Sequence, residues 1–179
     1  MYNSLSVYLR DNHGIQPSGY GFLLTSSAVV VILFQFSVTR IIKKKAPFLM
    51  MAGGTLFYML GFSMFGFVKA YWLFVAAIVV ITIGEMLVVP TSQTLAVNFA
   101  PEEMRGRYMG MFGIVWMIPA TIGPGAAGVI LDNFNPNLLW YIGGVLCAVS
   151  ALGYYILHLK IGHQERFQPQ IDEANPQLS

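Results

Sequence analysis

The sequence predicts an all-α transmembrane protein of about five membrane-spanning helices, and three observations predict it. Of its 179 residues 56% are hydrophobic and only 10% charged, against roughly 25% charged in a soluble globular domain, so there is too little charge for a water-facing shell. The apolar residues fall in runs far longer than a buried strand needs. The segments between the runs are short, which makes consecutive helices antiparallel neighbours. The lipid bilayer is therefore the expected solvent and the first partner of the chain.

Each span is read as a stretch free of Lys, Arg, Asp and Glu, because such a charge at a helix centre costs about 2.5–3.5 kcal/mol on the insertion scale. Asn12 to Thr39, Ala46 to Val68, Tyr108 to Leu131 and Asn133 to Leu159 are four such runs. Each has the roughly 20 residues that a helix needs to cross. The fifth, Ala70 to Pro101, is apolar or weakly polar apart from Glu85. The expected helices are 19–39, 47–68, 71–97, 107–131 and 138–159, with Gly19, Pro47, Pro101 and Pro136 near their boundaries as helix punctuation. They are joined by RIIKKKA, VKAY, APEEMRG and DNFNPN.

Residues 1–18 are too short to span. Tyr2, Leu5, Val7, Tyr8 and Leu9 make them either the outer end of another helix or an interfacial segment, followed by an extracytoplasmic loop. No removable signal peptide is expected in Met1 to Arg10. Residues 162–179, polar and carrying Pro169 and Pro176, read as a disordered tail. One side of the bundle collects Arg40, Lys43, Lys44, Lys45, Arg105, Arg107, Lys160 and Arg166, the other only Arg10 and Lys69. The richer side is cytoplasmic by the positive-inside rule. The chain then starts outside and ends inside, and its home is a cell membrane.

Several function classes are excluded. A net charge of +2 is too small for a nucleic-acid partner. No P-loop, GxSxG, HExxH or CxxC occurs, so no enzyme is expected. His13, His158 and His163 sit in loops or at a helix end, which speaks against a metal site. Cys147 lies in an apolar run and is a packing residue. The basic run from Arg40 to Lys45 is a topology determinant, with anionic-lipid contact as a secondary reading.

Glu85 is the acidic residue within a span, about 14 residues into its helix and so roughly 21 Å deep, near the bilayer midplane. A carboxylate away from water and without a cation favours its protonated form, which suits a group that takes up and releases a proton. Intramembrane carboxylates are functional candidates by default. At 100° per residue Thr82, Val89, Ser92 and Gln93 fall within about 80° of it, a polar stripe that faces either a water-filled cavity or a neighbouring helix. The alternative is a protonated Glu acting as packing glue. Pro90, five residues on, removes a backbone donor and gives a kink or, in a moving protein, a hinge.

The fourth span reads RGRYMGMFGIVWMIPATIGPGAAGVI. Gly106 and Gly110 form a GxxxG pair, Gly123, Pro124 and Gly128 continue the small-residue pattern, and Pro119 adds a second break. Close helix packing and a sliding interface need the same residues. Gln35 near the end of the first span, Tyr58 in the second and Trp116 in the fourth are further candidates for substrate contact, each with a packing or lipid-contact alternative.

These residues carry a resemblance. GYGFLLTSSAVVVILFQFSVTRIIKKKAP, GEMLVVP, APEEMRGRYMG and IGPGAAGVILD closely resemble helices eight to twelve of major facilitator superfamily transporters, and Met1 to Leu9 would be the outer end of helix seven. The fold implied is part of that family's C-terminal helical bundle. The resemblance also places the loops after helices eight and ten in the cytoplasm, as the charge count does. The GPxxxG pattern at Gly123, Pro124 and Gly128 resembles drug-efflux members.

The resemblance implies export of small, drug-like molecules by alternating access, without a cofactor and usually coupled to protons, with Glu85 facing the central cavity. The missing N-terminal half and a small-molecule substrate are the partners it implies, and a five-span piece would be inactive alone. The GExxxxP pattern also resembles proton-coupled oligopeptide transporters, so uptake of peptides or other solutes is an alternative. A non-transporting membrane fragment that binds partner helices is another. The expected status is a fragment, a truncated gene product or one part of a split transporter.

Overall fold

The computed structural model describes residues 2–68 and 70–161. The tail expected at 162–179, with Arg166, lies outside the described residues, as do Met1, Lys69 and the side chains of Tyr2 and Asn3. The helices are α1 (Tyr2–His13), α2 (Pro17–Lys43), α3 (Pro47–Phe67), α4 (Tyr71–Phe99), α5 (Arg105–Asn133) and α6 (Asn137–Ile161), with a short 3-10 turn at Glu102–Met104. No strand occurs among the described residues. Five of the helices, α2 to α6, are long and apolar enough to cross a membrane.

The boundaries have local causes. Pro17 and Pro47 open α2 and α3, where a missing N–H costs nothing. The sequence reading starts the first span at Gly19 and stops it at Thr39, whereas α2 runs on to Lys43. The last turn holds Arg40 and Lys43 because cations favour a helix C-terminus and their stems reach past the apolar zone. α4 continues two residues beyond Val97 and ends at Phe99, because Ala100 precedes Pro101 and is held extended at ψ 129. The Asn135 side chain accepts a bond from the backbone N–H of Asn137 at 3.0 Å and so starts α6.

Four spans form one layer in the order α6, α3, α4, α2. α3 runs antiparallel to α4, since Gly54 meets Leu87 and Val88 while Gly61 meets Ala77 and Ile81. α3 is also antiparallel to α6, where Gly66 meets Tyr141 and Ser63 meets Gly144. α2 and α4 run parallel, with Gly19 beside Tyr71 and Ser27 beside Thr82. In lipid there is no hydrophobic force between helices, so close packing and hydrogen bonds hold this layer.

One buried cluster joins Leu5, Tyr8 and Leu9 of α1 to Phe65, Phe74, Ile78 and Trp140. The Tyr8 hydroxyl stands 2.7 Å from Asn137 Oδ1 and 3.1 Å from the Phe65 carbonyl, so α1 is seated across the end where α3 stops and α4 and α6 begin. Leu131, near the end of α5, packs on the same cluster. Arg40, Lys43, Lys44, Lys45, Arg105, Arg107 and Lys160 are all exposed at the opposite end of the layer. α5 is the least buried span, with Ala127 as its one buried residue.

Candidate functional site

The site lies between α2 and α4. At the α1 end the two helices are tied together: the Tyr71 hydroxyl donates to the Gly19 carbonyl at 2.9 Å. Farther along, the Ser27 and Thr82 hydroxyls are 2.8 Å apart and buried. Thr82 donates its own hydrogen to the Ile78 carbonyl at 2.8 Å, which leaves Ser27 as the donor between the helices.

Beyond this tie the two helices line an open cavity of about 330 Å³. Val31 and Gln35 line it from α2, and Glu85, Met86, Val89, Pro90 and Gln93 from α4. The convergence follows from helix periodicity, because residues four apart share a face: 31 and 35 on one helix, 85, 89 and 93 on the other. Glu85 is half-buried and Gln93 is exposed at the rim. Gln35 is steadied by its own helix, with Nε2 3.4 Å from Thr39 Oγ1.

Pro90 sits inside α4 without breaking it. It has no N–H, so the Met86 carbonyl loses its helical donor at the cavity wall. The neighbouring carbonyls of Leu87, Val89 and Pro90 instead receive the hydroxyls of Thr91, Ser92 and Thr94 at 2.6, 2.9 and 2.9 Å. The wall therefore offers one carboxyl group and two carboxamides among apolar side chains. Such a set can hold a proton or hydrogen-bond a polar group while Val31, Met86 and Val89 take up an apolar body.

The structure brings Glu85, Val89, Pro90, Gln93 and Gln35 together and places the other candidates elsewhere. Thr82 shares the α4 stripe, but its side chain is wholly buried in the tie to Ser27. Ser92 turns its short side chain back to the Val89 carbonyl. Tyr58 stacks on Phe62 with ring centroids 6.0 Å apart, beside the apolar cluster. Trp116 is 49% exposed on α5, edge-on to Phe112.

On α5 a side chain added at Gly106, Gly110, Gly123 or Gly128 would meet nothing within 4 Å, and Pro119 and Pro124 are exposed. Val31 and Met86 complete the cavity and were not foreseen; Val31 was legible as the residue one turn before Gln35. Among the described residues no cluster of His, Cys, Asp and Glu could hold a metal.

The profile of the Major Facilitator Superfamily matches residues 1–177. An uncharacterized MFS-type transporter of Bacillus subtilis, YttB, is 36% identical over 128 residues, which is 70% of this chain and 32% of that protein. A Na(+), Li(+), K(+)/H(+) antiporter of Planococcus maritimus is 28% identical over 107 residues, 60% of this chain and 25% of that one. Multidrug resistance protein 3 of Bacillus subtilis is 26% identical over 115 residues, 64% and 22%. The chain spans about a third of the length of the first curated relatives it matches. No solved structure matches it.

Proposed function

We propose what this chain does from the premise that it belongs to the major facilitator superfamily, a family of transporters rather than enzymes. It is the C-terminal part of a secondary transporter that exports small, drug-like molecules in exchange for protons, working with an N-terminal half. The observation that carries this reading is the cavity that sets the Glu85 carboxyl beside Gln35 and Gln93. A mid-span carboxyl group costs several kcal/mol unless it is protonated, solvated or paired, and a cavity that gathers two carboxamides beside it at this point supports a functional role.

In this mechanism Glu85 carries the proton. Neutral, it is compatible with the membrane interior; ionised, it needs the cavity's water, its carboxamides or the cationic group of a substrate. Proton and substrate then compete for the same carboxylate, and one leaves as the other binds. Gln35 and Gln93 orient the substrate's polar groups, while Val31, Met86 and Val89 contact its apolar part. The other half closes the cavity's open side and the glycine face of α5, and rocking of the two halves exposes the cavity to each side in turn.

Two findings support antiport and drug export in particular. One relative is named as a cation/proton antiporter and another as a multidrug resistance protein. The basic end of the bundle faces the cytoplasm of a cell membrane on this reading, with the C-terminus inside.

The test is reconstitution. Inverted membrane vesicles containing the chain joined to an N-terminal part that supplies a six-helix half and the rest of helix seven should lose part of an imposed pH gradient when lipophilic drugs are added, as drug entry is exchanged for protons. Vesicles with the chain alone should not. No drug-induced proton movement by the joined protein, across a chemically varied panel, would overturn the proposal.

A further inference from the structure

The basic run at the end of α2 has more than charge. Arg40, Lys43, Lys44 and Lys45 are all exposed, and among the described residues none of them has a carboxylate within 4 Å. Two other cations among the described residues do have ion pairs. Arg10 lies 2.6 Å from Asp11 and holds that carboxyl below its usual value by hydrogen bonding, while Arg105 stands 3.5 Å from Glu102.

The cations are also aligned with an apolar stripe. At 100° per residue Val29, Leu33, Phe36, Arg40 and Lys43 fall within about 80° of arc on α2. That face lies opposite Leu23 and Ser27, the two residues of α2 that are buried. Leu33 is 65% and Phe36 69% exposed. The Arg40 guanidinium stands 4.4 Å from the centre of the Phe36 ring, a cation–π contact that holds the charge at the edge of the apolar stripe. The face thus reads, from the middle of the helix to its end, as some two turns of hydrocarbon followed by two cations.

We propose that this face binds an anionic phospholipid, the phosphate held by Arg40 and Lys43 and the acyl chains lying along Phe36, Leu33 and Val29. Lys44 and Lys45, in the turn that follows, add to the local positive potential. A soluble phosphate would use the cations but not the stripe, and a zwitterionic lipid would use the stripe but carries no net charge to attract. The combination selects a lipid with net negative charge, and binding weakens as salt screens it.

The test is a titration of the purified chain with dioleoyl phosphatidylglycerol and dioleoyl phosphatidylcholine, counting bound lipids by native mass spectrometry. At low salt phosphatidylglycerol should bind at least ten-fold more tightly, and the preference should shrink as salt rises. The R40Q/K43Q variant should lose about 25-fold in affinity for it, about five-fold per cation removed. The R40K/K43R variant should retain it, and R10Q at the far end should be unchanged. Equal affinity for the two lipids, or wild-type affinity in a helical R40Q/K43Q protein, would overturn the proposal. So would pyrophosphate binding as tightly as phosphatidylglycerol. The lipid preference of the native chain and its salt dependence stand without any variant.

Discussion

Glu85 was legible because lipid makes a charge conspicuous: an acidic residue in the middle of a long apolar run has few bland explanations. Its neighbours were legible in part, since helix periodicity gave Val89 and Gln93 but also offered Thr82, at a similar angle on the same stripe. Only the neighbouring helix separates them. Thr82 meets Ser27 and is closed in, whereas Glu85 and Gln93 line an open cavity with Val31 and Gln35. Thr82 is therefore a structural tie. A double-mutant cycle with Ser27→Ala and Thr82→Val should give a coupling of about 0.6 kcal/mol, the usual size for hydroxyl pairs between membrane helices, read from unfolding in mixed micelles. No measurable coupling would contradict the tie. Gln93→Ala removes a cavity amide that no neighbouring helix needs, so it should weaken substrate affinity several-fold in transport assays while leaving stability unchanged.

Five helices could be read from charge-free runs and their punctuation, because span length is set by bilayer thickness. The way they pack was harder to read. Glycine abundance drew attention to α5, yet Gly106 and Gly110 face open space, and close approaches are made by Gly54, Gly61 and Gly84 between α3 and α4 and by Gly66 and Gly144 between α3 and α6. A signal existed: Gly54 and Gly61 are seven residues apart, as are Ala77 and Gly84, which stacks each pair on one face. Counting glycines misses this, and pairing helices by small residues at that spacing would have found it. A Cβ at Gly84 would stand 2.8 Å from the Gly54 carbonyl oxygen, and one at Gly54 2.6 Å from a Val88 methyl. Gly84→Ala should therefore destabilise the α3–α4 pair by about 1–3 kcal/mol, measured by thermal unfolding in detergent. Gly110→Ala, which meets nothing, should leave the isolated chain as stable or stabilise it by up to about 1 kcal/mol through helix propensity. A reversed order of the two effects would contradict the packing described.

At the scale of the molecule, four helices form a layer, the fifth span is barely buried, and the chain spans about a third of its curated relatives. The sequence could show the family and the five spans because both are written in long segments. It could not show the substrate, because one carboxyl group and two carboxamides in an open cavity fit many small molecules. Sidedness is testable directly. Cysteines placed at Asp11 and Lys44 of otherwise Cys147→Ser protein should label with a membrane-impermeant reagent from opposite sides, outside and inside respectively; labelling from the same side would contradict the crossing of the membrane by α2, and the reverse pair of sides would contradict the orientation. The central claim is that Glu85 exchanges a proton for substrate, and it is tested most directly by substrate-induced proton movement in vesicles containing the joined halves. Glu85→Gln should abolish it, Glu85→Asp should retain part of it, and both proteins should be as helical as the wild type. Undiminished, pH-dependent transport by Glu85→Gln would contradict the account.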